Sequence, residues 1–385
     1  MKRIFAMIFA VLMCGALVAC ASETPDQTDV SDMNTTVAET TIPPDKTRLK
    51  KVELAAVKID GKWGYIDETG EFIIKPQFKD ADSFTDNGLA RVKAGSRYGY
   101  IDETGACVIN PQFEDAGLFA DNGLAWIMVD GKYGYIDETG AYVISPQFED
   151  ADSFANNGLA CVKIDGKYGY IDETGEFIIE PQFYSADSFA NNGLASVGYA
   201  GAEGYINEYG KFVIFPQFDF AGTFADNGLA IITVTDSWPY KDGYIDETGT
   251  YVIEPQFEGA HSFDDNGLAL VAVYDYDTSS VKHGYIDETG AYVISLQFED
   301  AGFFADNGLA YVEIDGKYGY IDETGTIVIN PQFDAAYDFA DNGLARFRVG
   351  DYLTGKYGYI DETGTIVINP QFDEARGFVT IYVEE

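Results

Sequence analysis

Apolar and polar positions alternate along this chain in short runs, and the runs predict strands. Leu89-Ala90-Arg91-Val92-Lys93 alternates with a period of two. Tyr98-Gly99-Tyr100-Ile101 follows as a second run, rich in aromatic and β-branched residues, and Tyr142-Val143-Ile144 marks the third kind of run in a unit. Asp-Gly pairs such as Asp130-Gly131 and Asp165-Gly166 lie between the first and second runs, and that dipeptide favours a two-residue hairpin. Asp67-Glu68-Thr69-Gly70 and its counterparts join the second run to the third; Asp suits the first turn position and Gly the left-handed closing one. After Pro111-Gln112-Phe113, the apolar residues Ala116 and Phe119 are three apart, which fits a helical turn or an irregular crossing to the next unit. Proline cannot donate to a sheet ladder, so it marks the end of the third strand.

These runs repeat. The Gly-Tyr-Ile-Asp/Asn signature begins at Gly64, Gly99, Gly134, Gly169, Gly204, Gly243, Gly284, Gly319 and Gly358, mostly 35 residues apart. Asn-Gly-Leu-Ala keeps the same rhythm from Asn87 to Asn342. All three lengthened intervals gain their residues before Gly243, Gly284 and Gly358, in the hairpin between the first two strands. The additions contain Ser237-Trp238-Pro239-Tyr240, Asp275-Tyr276-Asp277 and Asp351-Tyr352-Leu353. Insertions confined to one loop map to one edge of an array, often its binding edge. Trp238, Tyr240, Tyr274, Tyr276 and Tyr352 are therefore the candidate ligand-binding residues, since the repeating core does not need them.

The units resemble the WG repeat family, bacterial arrays named for a Trp-Gly pair ahead of a Tyr/Phe-Ile-Asp strand. The pair is literal at Trp63-Gly64. Tyr98, Tyr133, Tyr168, Tyr318 and Tyr357 stand in for Trp, and Glu203, Asp242 and His283 occupy the place in other units. The resemblance spans residues 52–383 and implies a β-rich binding or scaffolding array without catalytic residues.

The expected fold is all-β: a tandem array of about nine three-stranded β-hairpin units, forming an open curved solenoid or superhelix. A closed, β-propeller-like ring is the alternative. Propellers usually close with four to eight four-stranded blades of about 40 residues or more, and nine shorter units of three strands fit that poorly. The end segments Leu54–Ile59 and Val379–Val383 would then be caps, or two halves of a ring seal.

The first residues change the picture of where the array works. Lys2 and Arg3 precede an apolar stretch from Ile4 to Leu17, too short for a stable spanning helix. Leu17-Val18-Ala19-Cys20 resembles a bacterial lipobox, which implies a signal peptide over 1–19 and a lipid on Cys20. Residues 20–48, rich in Ser, Thr, Asp and Pro, read as a disordered spacer, and 49–385 as the array. The chain is thus expected to be exported and held by lipid at the cell membrane facing outward, or at the outer membrane of a two-membrane cell.

A formal charge of −40, from 64 acidic and 24 basic residues, repels nucleic acid. Protein partners, or a glycan, are expected instead. Cys107 and Cys161 fall at non-equivalent repeat positions, so no disulfide framework is indicated. No metal site and no cofactor are expected. The Asp-Glu turns could bind calcium, but they carry no EF-hand or nonapeptide pattern, and turn-forming Asp beside solvated Glu is the simpler reading. An active site is one constellation, whereas these carboxylate pairs recur in nearly every unit. His261 and His283 are assigned to separate units and lack a nucleophile at convincing spacing, so no enzyme activity is expected. The leading expectation is an envelope scaffold for protein partners, with glycan binding and calcium-stabilised structure as alternatives.

Overall fold

The computed structural model describes residues 49–235, 239–276 and 279–384. The Cys20 and Trp238 readings lie outside them. Every regular element among the described residues is a strand, and the strands form nine separate sheets. Each sheet is a blade of four antiparallel strands, a to d, in spatial order, and the first blade carries a fifth, Val379–Glu384, paired to the start of its strand b. Blade 2 illustrates the plan: a is Asp80–Phe84, b is Ala90–Ala94, c is Arg97–Ile101 and d is Cys107–Phe113.

Strand a is the element the hydrophobic pattern did not disclose. In seven of the nine blades it is only two residues long, as at Asp115–Ala116, Asp150–Ala151 and Glu374–Ala375, and in blades 2 and 9 it is five. The apolar spacing from Phe113 through Ala116 to Phe119 is therefore not a helical turn. It is a strand pair followed by an irregular segment that buries Phe119. The segment is fixed by the tyrosine after each signature glycine. Tyr100 lies fully buried, donates its hydroxyl to the Gly117 carbonyl at 2.6 Å and packs against Phe119 at 4.8 Å. The pairing recurs at all nine junctions, from Tyr65 with Phe84 to Tyr359 with Phe378, with ring separations of 4.7 to 5.0 Å. A buried phenol that finds its acceptor contributes apolar area without a desolvation penalty.

The signature glycine itself makes room for strand d. A Cβ on Gly99 would lie 2.4 Å from the Ile109 carbonyl oxygen, because d crosses over c there with a bulge between Tyr98 and Tyr100. The crossing carries d toward the a strand of the next blade, leaving one residue, Glu114, between them.

The ring is closed, so the open solenoid is corrected and the propeller alternative holds. Leu49–Ile59 forms strand b of blade 1, and Glu374–Ala375 from the other end of the chain supplies its strand a. Leu49 to Leu54 also pairs in six steps with Glu384 to Val379. The turn glycine of each blade rests on an isoleucine of the preceding one: Gly105 on Ile74, Gly140 on Ile109, and so on to Gly364 on Ile329. Gly70 of blade 1 rests on Ile368 of blade 9 in the same manner, so the ninth contact completes the circle. Thirty-five residues suffice for a blade because strand a is so short.

Candidate functional site

The two ends of each blade differ. The Asn-Gly-Leu and Asp-Glu-Thr-Gly turns share one end, next to pairs such as Ala90 with Ile101; the b–c hairpin closes the other. At the turn end the carboxylates are occupied. Asp102 accepts hydrogen bonds from the Thr104 amide, the Thr104 hydroxyl and the Ala106 amide. The neighbouring glutamate, read as merely solvated, reaches an adjacent blade: Glu138 accepts from the Asn87 amide at 3.0 Å, Glu173 from Asn122 and Glu247 from Asn192. Among the described residues no cluster of three or more His, Cys, Asp or Glu side chains is arranged to hold a metal ion.

The hairpin end is where blades diverge. The residue just before strand a is an acid in seven blades: Glu114, Glu149, Asp219, Glu258, Glu299, Asp334 and Asp373. It caps its own blade's hairpin. Glu114 accepts from the Gly131 amide, Glu149 from Gly166 and Glu299 from Gly316, each at 3.0 Å. It also pairs with the cation opening strand c of the preceding blade, as Arg97 with Glu114 at 3.2 Å and Lys241 with Glu258 at 2.5 Å. Hydrogen bonds from the hairpin amides hold the Glu114 carboxyl below the usual carboxylate range. Two blades break the rule: blade 5 has Tyr184 at this place and blade 2 has Lys79.

The acids replacing the family's Trp have a structural cause. Where strand a begins with Asp, that carboxylate accepts from the following Ala amide, as Asp115 does from Ala116. Blades 6 and 7 begin strand a with Phe220 and Gly259 instead, and Glu203 and Asp242 of the preceding blades supply the acceptor to Ala221 and Ala260 at 2.8 and 3.0 Å.

Around blade 5 the hairpin face is aromatic. Tyr184 is two-thirds exposed, with the Lys167 ammonium over its ring, and Tyr199 stands in the hairpin of the same blade. Together with Glu203 and Asp219 they line a cavity of about 610 Å³. Phe220 opens blade 6, whose lengthened hairpin exposes Tyr240. Blade 7 follows with Tyr276, 72% exposed and edge-on to the half-buried Tyr274 at 4.9 Å. Four candidates from the sequence are thus on one face. Tyr240, Tyr274 and Tyr276 sit on neighbouring blades, while Tyr352 projects from blade 9 near Arg348, beyond blade 8 and its short hairpin.

Sequence reasoning missed Tyr184, Tyr199 and Phe220 because it followed inserted residues. The available signal was substitution within a constant length: Tyr for acid at 184, and Ala200-Gly201 for the Asp-Gly hairpin. His261 and His283, assigned to separate units, are in one blade, because strand a belongs to the sheet that follows it. Burial, and then the proximity of His283, lowers the pKa of His261.

The WG containing repeat model matches nine successive segments: 63–98, 98–133, 133–168, 168–199, 204–238, 243–275, 284–318, 318–352 and 357–379. No curated protein matches the chain in sequence. Among solved structures, that of a eukaryotic initiation factor is similar over 86% of this chain and 98% of its own, at 12% identity and a TM-score of 0.64. This likeness shows the fold alone. Apo AztD from Citrobacter koseri covers 87% of this chain and 98% of its own at 14% identity, but with a TM-score of 0.39.

Proposed function

The chain belongs to the WG containing repeat family, and from that premise we propose that it is a non-catalytic scaffold which engages protein partners at the cell envelope. The observation that carries this reading is the arc of hairpin-face aromatics Tyr184, Tyr199, Phe220, Tyr240 and Tyr276, all exposed, over blades 5 to 7. Exposed aromatics are common anchors at protein interfaces, since they bury large area at little entropic cost. A rigid ring fixes their spacing in advance, which lowers the ordering cost of association. Lys2-Arg3, the apolar stretch after them and Leu17-Val18-Ala19-Cys20 support export and attachment through a lipid on Cys20.

The test is proximity crosslinking in envelope preparations followed by measured binding of the recovered partner. A combined Tyr184→Ala, Tyr199→Ala, Tyr276→Ala variant is expected to lose saturable binding with its melting temperature retained. Unchanged affinity in that variant would sink the reading. A second reading, glycan binding, is favoured by the cavity between Tyr184 and Tyr199, because rings flanked by carboxylates suit a sugar's faces and hydroxyls. Saturable binding on a glycan array, lost with Tyr184→Ala alone, would select it over a protein partner.

A further inference from the structure

A second cavity, of about 510 Å³, lies across the seam where the ring closes, and its chemistry is opposite to that of the chain. Lys58 of blade 1, Lys79 and Lys93 of blade 2, Arg346 of blade 9 and Arg376 of the closing segment line it. Only two carboxylates, Asp80 and Glu374, join them. Five cations against two anions in one cavity is a local reversal in a protein with 64 acids and 24 bases.

The repeat shows that this reversal is not imposed by the fold. Lys79 is the only base at the hairpin-capping position, which is an acid in seven blades and a tyrosine in the other. Lys62 opens strand c of blade 1, at the place from which Arg97 and Lys241 reach that acid in other blades. Here the partner seventeen residues on is another lysine. Ser96, the counterpart of the capped Gly131, likewise has Lys79 where a carboxylate would accept its amide proton. The junction between blades 1 and 2 thus keeps the donors of the repeated motif and lacks its acceptor.

The remaining cations are held in place by the frame. Arg376 donates from Nε to the Ala81 carbonyl at 2.8 Å and pairs with Asp82 at 2.9 Å. Its guanidinium and the Lys58 ammonium lie 5.3 and 5.7 Å from the ring centre of the buried Trp63. Lys58 pairs with Glu374 at 2.6 Å, and Arg346 donates to the Ala375 carbonyl while its guanidinium packs over Tyr337. Lys79 and Lys93 have no ion pair among the described residues. Fixed guanidinium groups beside the Lys79 ammonium, and a Lys93 ammonium held over the Tyr98 ring at 4.2 Å, suit a ligand carrying several oxyanion groups.

We propose that the seam cavity binds a small multivalent oxyanion, of the diphosphate or tricarboxylate class, held by Lys79 and the cations that line the cavity with it. Such a ligand would bridge the first strand of the array to its closing segment through Lys58 and Arg376, and so stabilise ring closure by mass action. This site is independent of the aromatic arc and does not rest on the partner-binding reading.

The experiment is calorimetric titration and thermal melting of residues 20–385 at constant ionic strength, with pyrophosphate, citrate and chloride. Saturable binding of pyrophosphate or citrate, with a melting temperature that rises with its concentration, is expected; whichever binds identifies the oxyanion class. Lys79→Glu restores the residue type of seven other blades, so it should fold normally and bind about tenfold or more weakly. Lys79→Gln with Lys93→Gln should weaken binding too, whereas Lys167→Gln beside Tyr184 should leave it unchanged. No saturable binding by either anion at millimolar concentration, equal affinity in Lys79→Glu, or an equal response to chloride would each overturn the proposal.

Discussion

The aromatic arc over blades 5 to 7 and the cationic cavity over blades 9, 1 and 2 rest on the same framework and differ at the same position. In seven blades an acid before strand a caps the hairpin; Tyr184 replaces it in the arc and Lys79 at the seam. Each replacement removes a capping carboxylate, and each of the two replacing side chains lines a cavity. The cation of the preceding blade responds differently in the two places. Lys167 lies over the Tyr184 ring, whereas Lys62 has Lys79, a like charge, at the position its counterparts' acid occupies. The buried frame does not register the difference, since Tyr65 at the seam and Tyr205 in the arc make the same bond to a carbonyl oxygen at 2.7 Å. Surface chemistry here is written onto a constant core through a position that is cheap to change, because its side chain lies outside the buried core and caps only one turn.

The largest expected effect separates the seam from the arc by topology. The seam alone is made by residues from opposite ends of the array, with Leu49 to Leu54 pairing against Val379 to Glu384. Ile381 is 1% exposed there and packs in one core with Leu54 and Tyr65. Ile381→Asp places a carboxylate in that core, and a loss of about 3 kcal/mol or more is expected in a denaturant or thermal melt. The melt should gain an early phase in which blades 9 and 1 lose amide protection before blade 5 does. Simultaneous loss around the ring would show that the seam is no weaker than any other junction.

A smaller effect tests the exchanged position directly. Tyr184→Glu gives blade 5 the residue type of its neighbours, with Lys167 placed to pair with the new carboxylate. An exposed ion pair contributes between about 0 and 1 kcal/mol, so stability should hardly change. Binding by the arc should fall because the cavity loses one of its two tyrosines. A melt shifted downward by several degrees would mean that the Tyr184 ring supports the fold and is not a spare surface group.

Much of the fold was legible because periodicity, the hairpin dipeptides and the Asp-Glu-Thr-Gly turns act locally, and each appears in place. Strand a was not, because two residues carry no period. Asp115-Ala116 is defined by its pairing with Met128 and Ile127 across the loop, which no local pattern displays. That one omission turned a four-stranded blade into a three-stranded unit and made an open solenoid look preferable to a ring. It also placed His261 and His283 in different units. The inserted aromatics were visible because they change length. Tyr184 and Lys79 were hidden because they do not; they stand out only once the capping role of Glu114 and its counterparts is known.

The smallest expected effect concerns acid, and the comparison between blades supplies its control. The Thr hydroxyl and then the nearby amides hold the carboxyls of Asp137, Asp172, Asp246, Asp287, Asp322 and Asp361 below their ordinary values. A folded pKa depressed below the unfolded value of about 3.9 adds stability that is present above that pH and is lost as pH falls through the folded value. These carboxylates are partly exposed and each holds a single turn, so the effect is local fraying of each turn, not global unfolding. Blade 5 has Asn207 in the same place, accepting from the Tyr209 and Lys211 amides at 3.1 Å with a group that does not titrate. Hydrogen exchange compared at pH 5 and pH 2.5, corrected for the intrinsic rate, should therefore show lost protection at the Ala141 and Thr250 amides, which rest on Asp137 and Asp246. The Lys211 amide should keep its protection. Equal loss at Lys211 would mean that the turns open for a reason other than carboxylate protonation.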